Sequence, residues 1–429
     1  MRRSGVLASL LLCLAVPAVH AQNDMREKIA ELLTFGVCGQ PLCLDLDGQA
    51  GNIHGNHFIP SVTNGAGTIQ GFLNDAIALN ASNFPISGTS GGLTVKFVGG
   101  LPVKTSSSLG PVFGERAQTL GRGRFLMGAN ISGIRFKTLR GVPIDNMTLN
   151  FTHEDVGNPG LGDLPYENDL VQVNMSLYVD LLVSSFTMTY GLFDNMDVSV
   201  AVPLVNTSLK GRSTAQILQI GGTSLHYFGG TATNPILQAS TATFGSATGI
   251  GDMATRMKWR LLDRDGLSLA LLGDVRWATG DEKQLLGSGK TSWRGLLIAS
   301  SRFGTFNPHL NVGYFSRNND AANDAMIANA GFDQALNDWT TLAVDVLSEW
   351  QVGDSKFDLP GKVSYVAPAV RSITPLPLPD KADNRMNASI GFKFKFSGAS
   401  TIVTNAQVPL LRGGLQPNVI WTTGLEFNF

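Results

Sequence analysis

The chain has 429 residues, 43% of them hydrophobic and only 15% charged, with 49 glycines and a formal net charge of −1. Soluble globular chains carry about 25% charged residues, so this composition argues against a solvated multidomain protein; the apolar fraction argues against disorder and near-neutrality against nucleic-acid binding. After residue 21 no window offers about 18 consecutive apolar residues, which leaves a transmembrane β-barrel as the membrane structure compatible with the sequence.

Arg2 and Arg3, the apolar run Val6 to Val16 and the small residues around Val19-His20-Ala21 predict a cleaved signal peptide over residues 1–21. Without Arg2 and Arg3, 30 of the 32 basic residues face 33 acids, a formal charge of −3. Cys38 and Cys43 in an exported chain are expected to pair as a local disulfide. The His54-x-x-His57 spacing beside them is tighter than that of zinc fingers, and Asp45 and Asp47 lack the later ligands of a calcium loop. Neither a metal site nor a cofactor is therefore expected. Asp24 to Glu27 reads as a capping box for a helix with the stripe Met25, Ile29, Leu32 and Leu33, and a second short helix is expected near Gln70 to Leu79. Residues 22–90 are read as an N-terminal segment, periplasmic or plugging a barrel, and residues 91–429 as the barrel itself.

Further along, the period becomes two. Val171, Val173, Met175, Leu177, Val179 and Leu181 alternate with mostly polar residues, as a strand does between lipid and water. Phe186, Met188 and Tyr190 continue on the opposite parity, which predicts a bulge at Leu182 to Ser185. Val198 to Leu204, Leu267 to Trp277 and Ile390 to Phe396 repeat the alternation. A sandwich with one wet face would alternate too, but the end of the chain favours a membrane barrel. Trp421, Leu425, Phe427 and Phe429 share one face and the last residue is aromatic, resembling the assembly signal of bacterial outer-membrane barrels. The expected partners are thus outer-membrane lipid, the barrel-assembly machinery and a small-molecule solute. Short turns at Asp194-Asn195, Asp263 to Gly266, Gly304 to Phe306 and Ser397 to Ser400 are assigned to the periplasm. Parity then asks for extra wall strands at Leu93 to Val103 and Val363 to Ala369, giving fourteen strands, or twelve if the early segments lie outside the wall.

Charges on these strands are expected to face the lumen, because charge facing lipid is costly. The lumen candidates are Arg256, Lys258, Arg260, Asp274, Arg276, Asp345, Glu349, Lys393, Lys395 and Glu426, either as a basic stripe attracting anions or as an internal salt-bridge network. Residues 213–251 contain no Asp, Glu, Lys or Arg, and Leu218, Ile220, Tyr227, Phe228 and Phe244 are candidates for an apolar extracellular lid. A hydrolase would need a serine close to a histidine with an orienting polar residue, and His153, His226 and His309 are scattered singly along the chain, so no catalytic residue is assigned.

Several motifs together resemble the phenol-degradation MetA-pathway family of outer-membrane proteins. They are Gly110-Pro-Val-Phe-Gly-Glu-Arg116 with Thr119 to Gly123, Tyr190 to Asp194 with Asp197 to Pro203, Gly251-Asp252, Thr279-Gly-Asp281, Leu286-Gly-Ser-Gly289, Val408-Pro-Leu and Gly424 to Phe429. The resemblance covers roughly residues 105–429, with Ala278 where the family pattern has proline. It implies an outer-membrane channel, loosely similar to transporters of fatty acids and aromatic hydrocarbons. The expected function is passive uptake of small hydrophobic or aromatic, including anionic, solutes, with a plugged structural or adhesive barrel as the alternative.

Overall fold

The computed structural model describes residues 24–36, 58–59, 65–82, 95–98, 101–104, 108–153, 169–219, 226–231, 233–264, 266–319, 322–357, 359, 361–365 and 371–429. The expected signal peptide and the cysteines expected to pair, Cys38 and Cys43, lie outside the described residues, as do His54, His57 and Ile220.

Twelve antiparallel strands close into a barrel: β1 (Phe125–Leu139), β2 (Leu170–Phe193), β3 (Met196–Leu218), β4 (Ala254–Arg264), β5 (Leu267–Arg276), β6 (Ser292–Ser301), β7 (Phe306–Ser316), β8 (Ala325–Ala335), β9 (Thr340–Gln351), β10 (Arg385–Lys395), β11 (Ser400–Arg412) and β12 (Leu415–Asn428). Each strand pairs with its sequence neighbour, and β12 pairs with β1 to complete the ring. Phe429 and Phe125 exchange backbone hydrogen bonds of 2.8 and 3.1 Å, so the last residue is zipped to the first strand. Closure matters because a lipid-exposed sheet edge would leave unpaired backbone groups without water.

The fourteen-strand count is corrected to twelve. The expected extra strands are small hairpins outside the wall, Val95–Val98 with Leu101–Lys104 and Val363–Tyr365 with Arg371–Ile373. The parity error lies at Asn337, whose Oδ1 accepts from the N–H groups of Trp339 (3.0 Å) and Thr340 (2.8 Å). This Asx turn is a fifth short connection on the same end as the other four, so β9 runs the other way and pairs directly with β10.

The bulge expected at Leu182 to Ser185 is also absent. Register between β2 and β3 is unbroken from Leu170 to Gly191, and odd-numbered residues of β2 face inward all along it. The environment changes instead of the phase. Near the short-turn end Leu182, Phe186 and Met188 point outward and Ser185 and Thr189 inward. Toward the long-loop end Val173, Leu177 and Val179 are buried inside, against expectation, while Asn174 and Asp180 face out. Beside it β3 changes at the same level, from outward Val198, Val200 and Val202 to outward Ser208, Lys210 and Arg212. These strands have 24 and 23 residues, whereas a membrane crossing takes about 9–11. The half nearer the short turns spans lipid, and the other half rises beyond it, sided by Met147–His153 and Gln238–Ile250.

The apolar interior of that raised half receives two helices, α1 (Met25–Glu31) and α2 (Gly65–Ser82). Met25, Ile29, Leu32 and Leu33 are buried with Phe72, Leu73 and Ile77 against Val173, Leu177, Val205 and Leu209. The α1 stripe read from sequence is thus a plug contact. Its capping box does not form: Asp24 makes no side-chain cap, and its carboxylate instead accepts from Gln284 at 3.3 Å. α2 extends over 18 residues, longer than expected, because packing inside the barrel offsets the low helix propensity of its glycines.

Candidate functional site: a lumen closed by two segments

A coil, residues 108–123, enters the lumen at the short-turn end just before β1. The wall grips it through polar side chains that point inward. Leu109 N–H donates to Thr341 Oγ1 (2.9 Å), Glu115 N–H to Asn311 Oδ1 (3.0 Å), Ala117 N–H to Ser300 Oγ (3.1 Å) and Leu120 N–H to the Asp197 carboxylate (3.0 Å). Regular ladders cannot satisfy a coil's backbone, so polar wall residues do so where water is excluded. Gly114 crosses the His309–Asp345 pair (2.6 Å) so closely that a Cβ there would overlap both side chains. Gly121 and Gly123 adopt positive φ (92° and 78°) as the chain turns past Gly191. Two of the motifs noted in the sequence, Gly110 to Gly123 and Tyr190 to Asp197, therefore lie against each other as coil and receptor.

Other motifs converge at the long-loop end. Asp252, fully buried, accepts from Gly280 N–H (2.9 Å), Ser288 N–H (2.8 Å) and Ser288 Oγ–H (2.9 Å), and Thr279 Oγ donates to the Gly251 carbonyl at 2.8 Å. This knot folds the loop 277–291 inward. Leu285, held at φ 56°, is buried at its tip, and its carbonyl accepts from Thr207 Oγ (2.9 Å). The same loop holds α1: Arg26 bridges Glu282 and Asp75 of α2, and Arg26 N–H donates to the Lys283 carbonyl.

Between helices and coil lies a cavity of about 160 Å³ whose wall includes Asn80 of α2 and Phe113 and Glu115 of the coil. Arg256, Arg276, Arg294 and Arg385 line it, against the carboxylates of Glu115 and Glu349. Cross-strand register places Arg256, Asp274 and Arg294 side by side on β4, β5 and β6, and Glu349 beside Arg385 on β9 and β10. Asp274, buried between the two arginines, accepts from Arg256 Nε (2.8 Å) and Arg294 Nη2 (2.7 Å).

The lumen candidates separate by task. Arg256 and Lys258 hold the coil, through Glu115 at 3.4 and 3.6 Å and, for Lys258, the Arg116 carbonyl at 3.3 Å. Arg276 donates to the Ser82 carbonyl at the C-terminus of α2, where the helix dipole favours a cation. Lys393 contacts both oxygens of Glu426 at 2.9 Å, and Glu349 pairs with Arg317. Arg260 binds the Asp194 carbonyl (3.1 Å) near the short turns, and Lys395 is half-buried at the same end. Of the lid residues, Phe228 is buried on Phe35 (ring centroids 6.2 Å apart), Leu218 and Tyr227 are half-buried, and Phe244 points away at 79% exposure. Trp421 and Phe429 face outward, with Phe427 half-buried.

Sequence reasoning missed Arg294, Arg385 and Arg140. Each stands singly at a strand end, with no neighbour of its kind to mark it. Arg140 is fully buried and makes two hydrogen bonds to Asp383 (2.9 and 3.0 Å), fastening the loop after β9 over Phe357, which stacks on Phe72 of α2 at 3.6 Å.

No family model matches the chain, and no curated protein matches it. Among solved structures it is similar to an outer membrane channel from Pseudomonas putida F1 (12% identity, 73% of this chain and 98% of that one, TM-score 0.39). It is also similar to a Pseudomonas aeruginosa FadL homologue (11%, 71% and 89%, TM-score 0.31) and to the Pseudomonas putida toluene transporter TodX (11%, 80% and 98%, TM-score 0.27).

Proposed function

We propose that the chain is an outer-membrane channel for passive uptake of small hydrophobic or aromatic solutes, anionic ones included, kept shut by its own N-terminal segments. The observation that carries this reading is the filling of the lumen. Twelve strands enclose more space than wall side chains fill, and here that space holds two separate stretches of the same chain with a charged cavity between them. The coil is not hydrogen-bonded into the wall as a strand, and in the helical stretch Phe58–Ile59 pairs with Met147–His153, outside the twelve-strand ring, so each can leave without breaking the barrel. A purely structural barrel has no need of buried arginines, whose desolvation costs several kcal/mol each. On this reading the short turns face the periplasm and the long loops the exterior. The C-terminal strand with Trp421, Phe427 and Phe429 is the address read by the assembly machinery. The resemblance to the MetA-pathway family supports the same assignment.

Refolded full-length protein in planar bilayers and in liposomes swelling in isosmotic sodium benzoate tests it. Wild type is expected to open in brief events, and Ile29→Asp with Leu32→Asp, which charges the buried face of α1, is expected to lengthen them. Silence of both proteins, in current and in swelling, would move the assignment to a structural or adhesive barrel.

A further inference from the structure

The cavity has chemistry of its own beyond being a step in a channel. We infer that it is a binding site for a small carboxylate with a ring-sized apolar body. This rests on the channel reading for access, since α2, through Asn80, and the coil, through Phe113 and Glu115, line the cavity.

The charge side is made by Arg385 and Arg294, both on the cavity wall. Arg294 already donates two N–H groups to Asp274 and is held in place by them. Arg385 neighbours Glu349 across the ladder between β9 and β10. With four guanidiniums on the wall against two carboxylates, and Asp274 buried between Arg256 and Arg294, the cavity retains positive charge in a region of low dielectric, where an anion is attracted strongly. An independent observation names the ligand's acceptor. Gln407 on β11 is 3% exposed, lines the same cavity, and its amide Nε2 has no hydrogen-bond partner among the described residues. Leaving a buried donor unsatisfied is costly, and an entering oxygen atom would remove that cost. Guanidinium forks match a carboxylate in two bonds, which a neutral alcohol cannot make.

The apolar side is made by Phe113 of the coil, Phe315 of β7 and Ile420 of β12. The volume, about 160 Å³, matches the ~150 Å³ that accommodates a benzene ring in an apolar protein cavity. Inorganic anions fill only the charged half, and toluene only the other.

Binding to the refolded full chain by calorimetry tests the site, with benzoate, benzyl alcohol and inorganic phosphate as probes, in wild type and in the Ile29→Asp, Leu32→Asp protein whose plug is loosened. Benzoate is expected to saturate at one site, at least about tenfold tighter than either other probe, the difference one charge-assisted hydrogen-bond pair makes. Arg385→Gln is expected to weaken benzoate about tenfold and leave benzyl alcohol unchanged. Folding of each variant is checked by its heat-modifiable mobility; if Arg385→Gln does not fold, Gln407→Met carries the test, with the same expected direction. Equal binding of benzoate and benzyl alcohol, equal binding of phosphate, or no benzoate binding in the loosened protein would overturn the site. Benzoate binding without swelling or current would leave the site and reject the channel, whereas swelling without saturable binding would do the reverse.

Discussion

At the scale of single residues, the interior is held by charges that are tolerated only in company. Lys393 is buried with both oxygens of Glu426 within 2.9 Å, so removing one partner leaves an uncompensated charge. Lys393→Met is expected to destabilise the refolded barrel by about 3–5 kcal/mol, and Lys393→Met with Glu426→Leu to recover most of that; urea titration of the two in vesicles checks the pair. Outside the membrane, Asp324 accepts from Tyr314 Oη–H (2.6 Å) and Arg317 N–H (2.8 Å). Burial opposes its ionisation, but these bonds and that of Ser316 outweigh burial and hold the carboxyl below its ordinary value. A depressed folded pKa contributes stability that is present above the unfolded value and lost as pH falls through the folded one. Exchange protection of the Arg317 amide is therefore expected to drop below about pH 4, and Asp324→Asn to remove that drop. The inward orientation of Arg256, Lys258, Asp274 and Lys393 was legible in the sequence because lipid rejects charge. Their partners were not, since Glu115 and the Arg116 carbonyl belong to a coil without period.

At the scale of elements, β2 shows how far alternation can be read. Period two reports that one face is apolar and is silent about which side of the wall that face lies on. Val173, Leu177 and Val179 looked like a lipid face and instead pack on α1 and α2, and the parity switch at Leu182 marks the rim of the membrane. At Trp421, Leu425 and Phe429 the same reading gives the true outward face, because the lumen beside β12 is polar there. The rim has a measurable consequence. Phe186→Arg, in the outward belt, is expected to cost about 2–4 kcal/mol on refolding into lipid. Asn174→Arg, twelve residues up the same strand, is expected to stay within about 0.5 kcal/mol. Equal costs at both positions would place the raised half of β2 and β3 inside the bilayer.

At the scale of the whole molecule, the closed barrel was legible, and its twelve strands only as the alternative in which the early segments lie outside the wall: the Asx turn at Asn337 reversed the direction assigned to β9, and the up-strand expected before β1 is a separate hairpin. That the N-terminal segment enters the lumen was left open by the sequence, and the structure places its helices in the raised half and the following coil below them. On the channel reading, solute passes only when these segments move. This is tested most directly by tethering them, with Ala117→Cys and Ser300→Cys, whose backbone N and Oγ are 3.1 Å apart, in a chain carrying Cys38→Ser and Cys43→Ser. Bilayer conductance is expected to vanish when the new disulfide is oxidised and to return on reduction. Conductance equal in the oxidised and reduced states would contradict it.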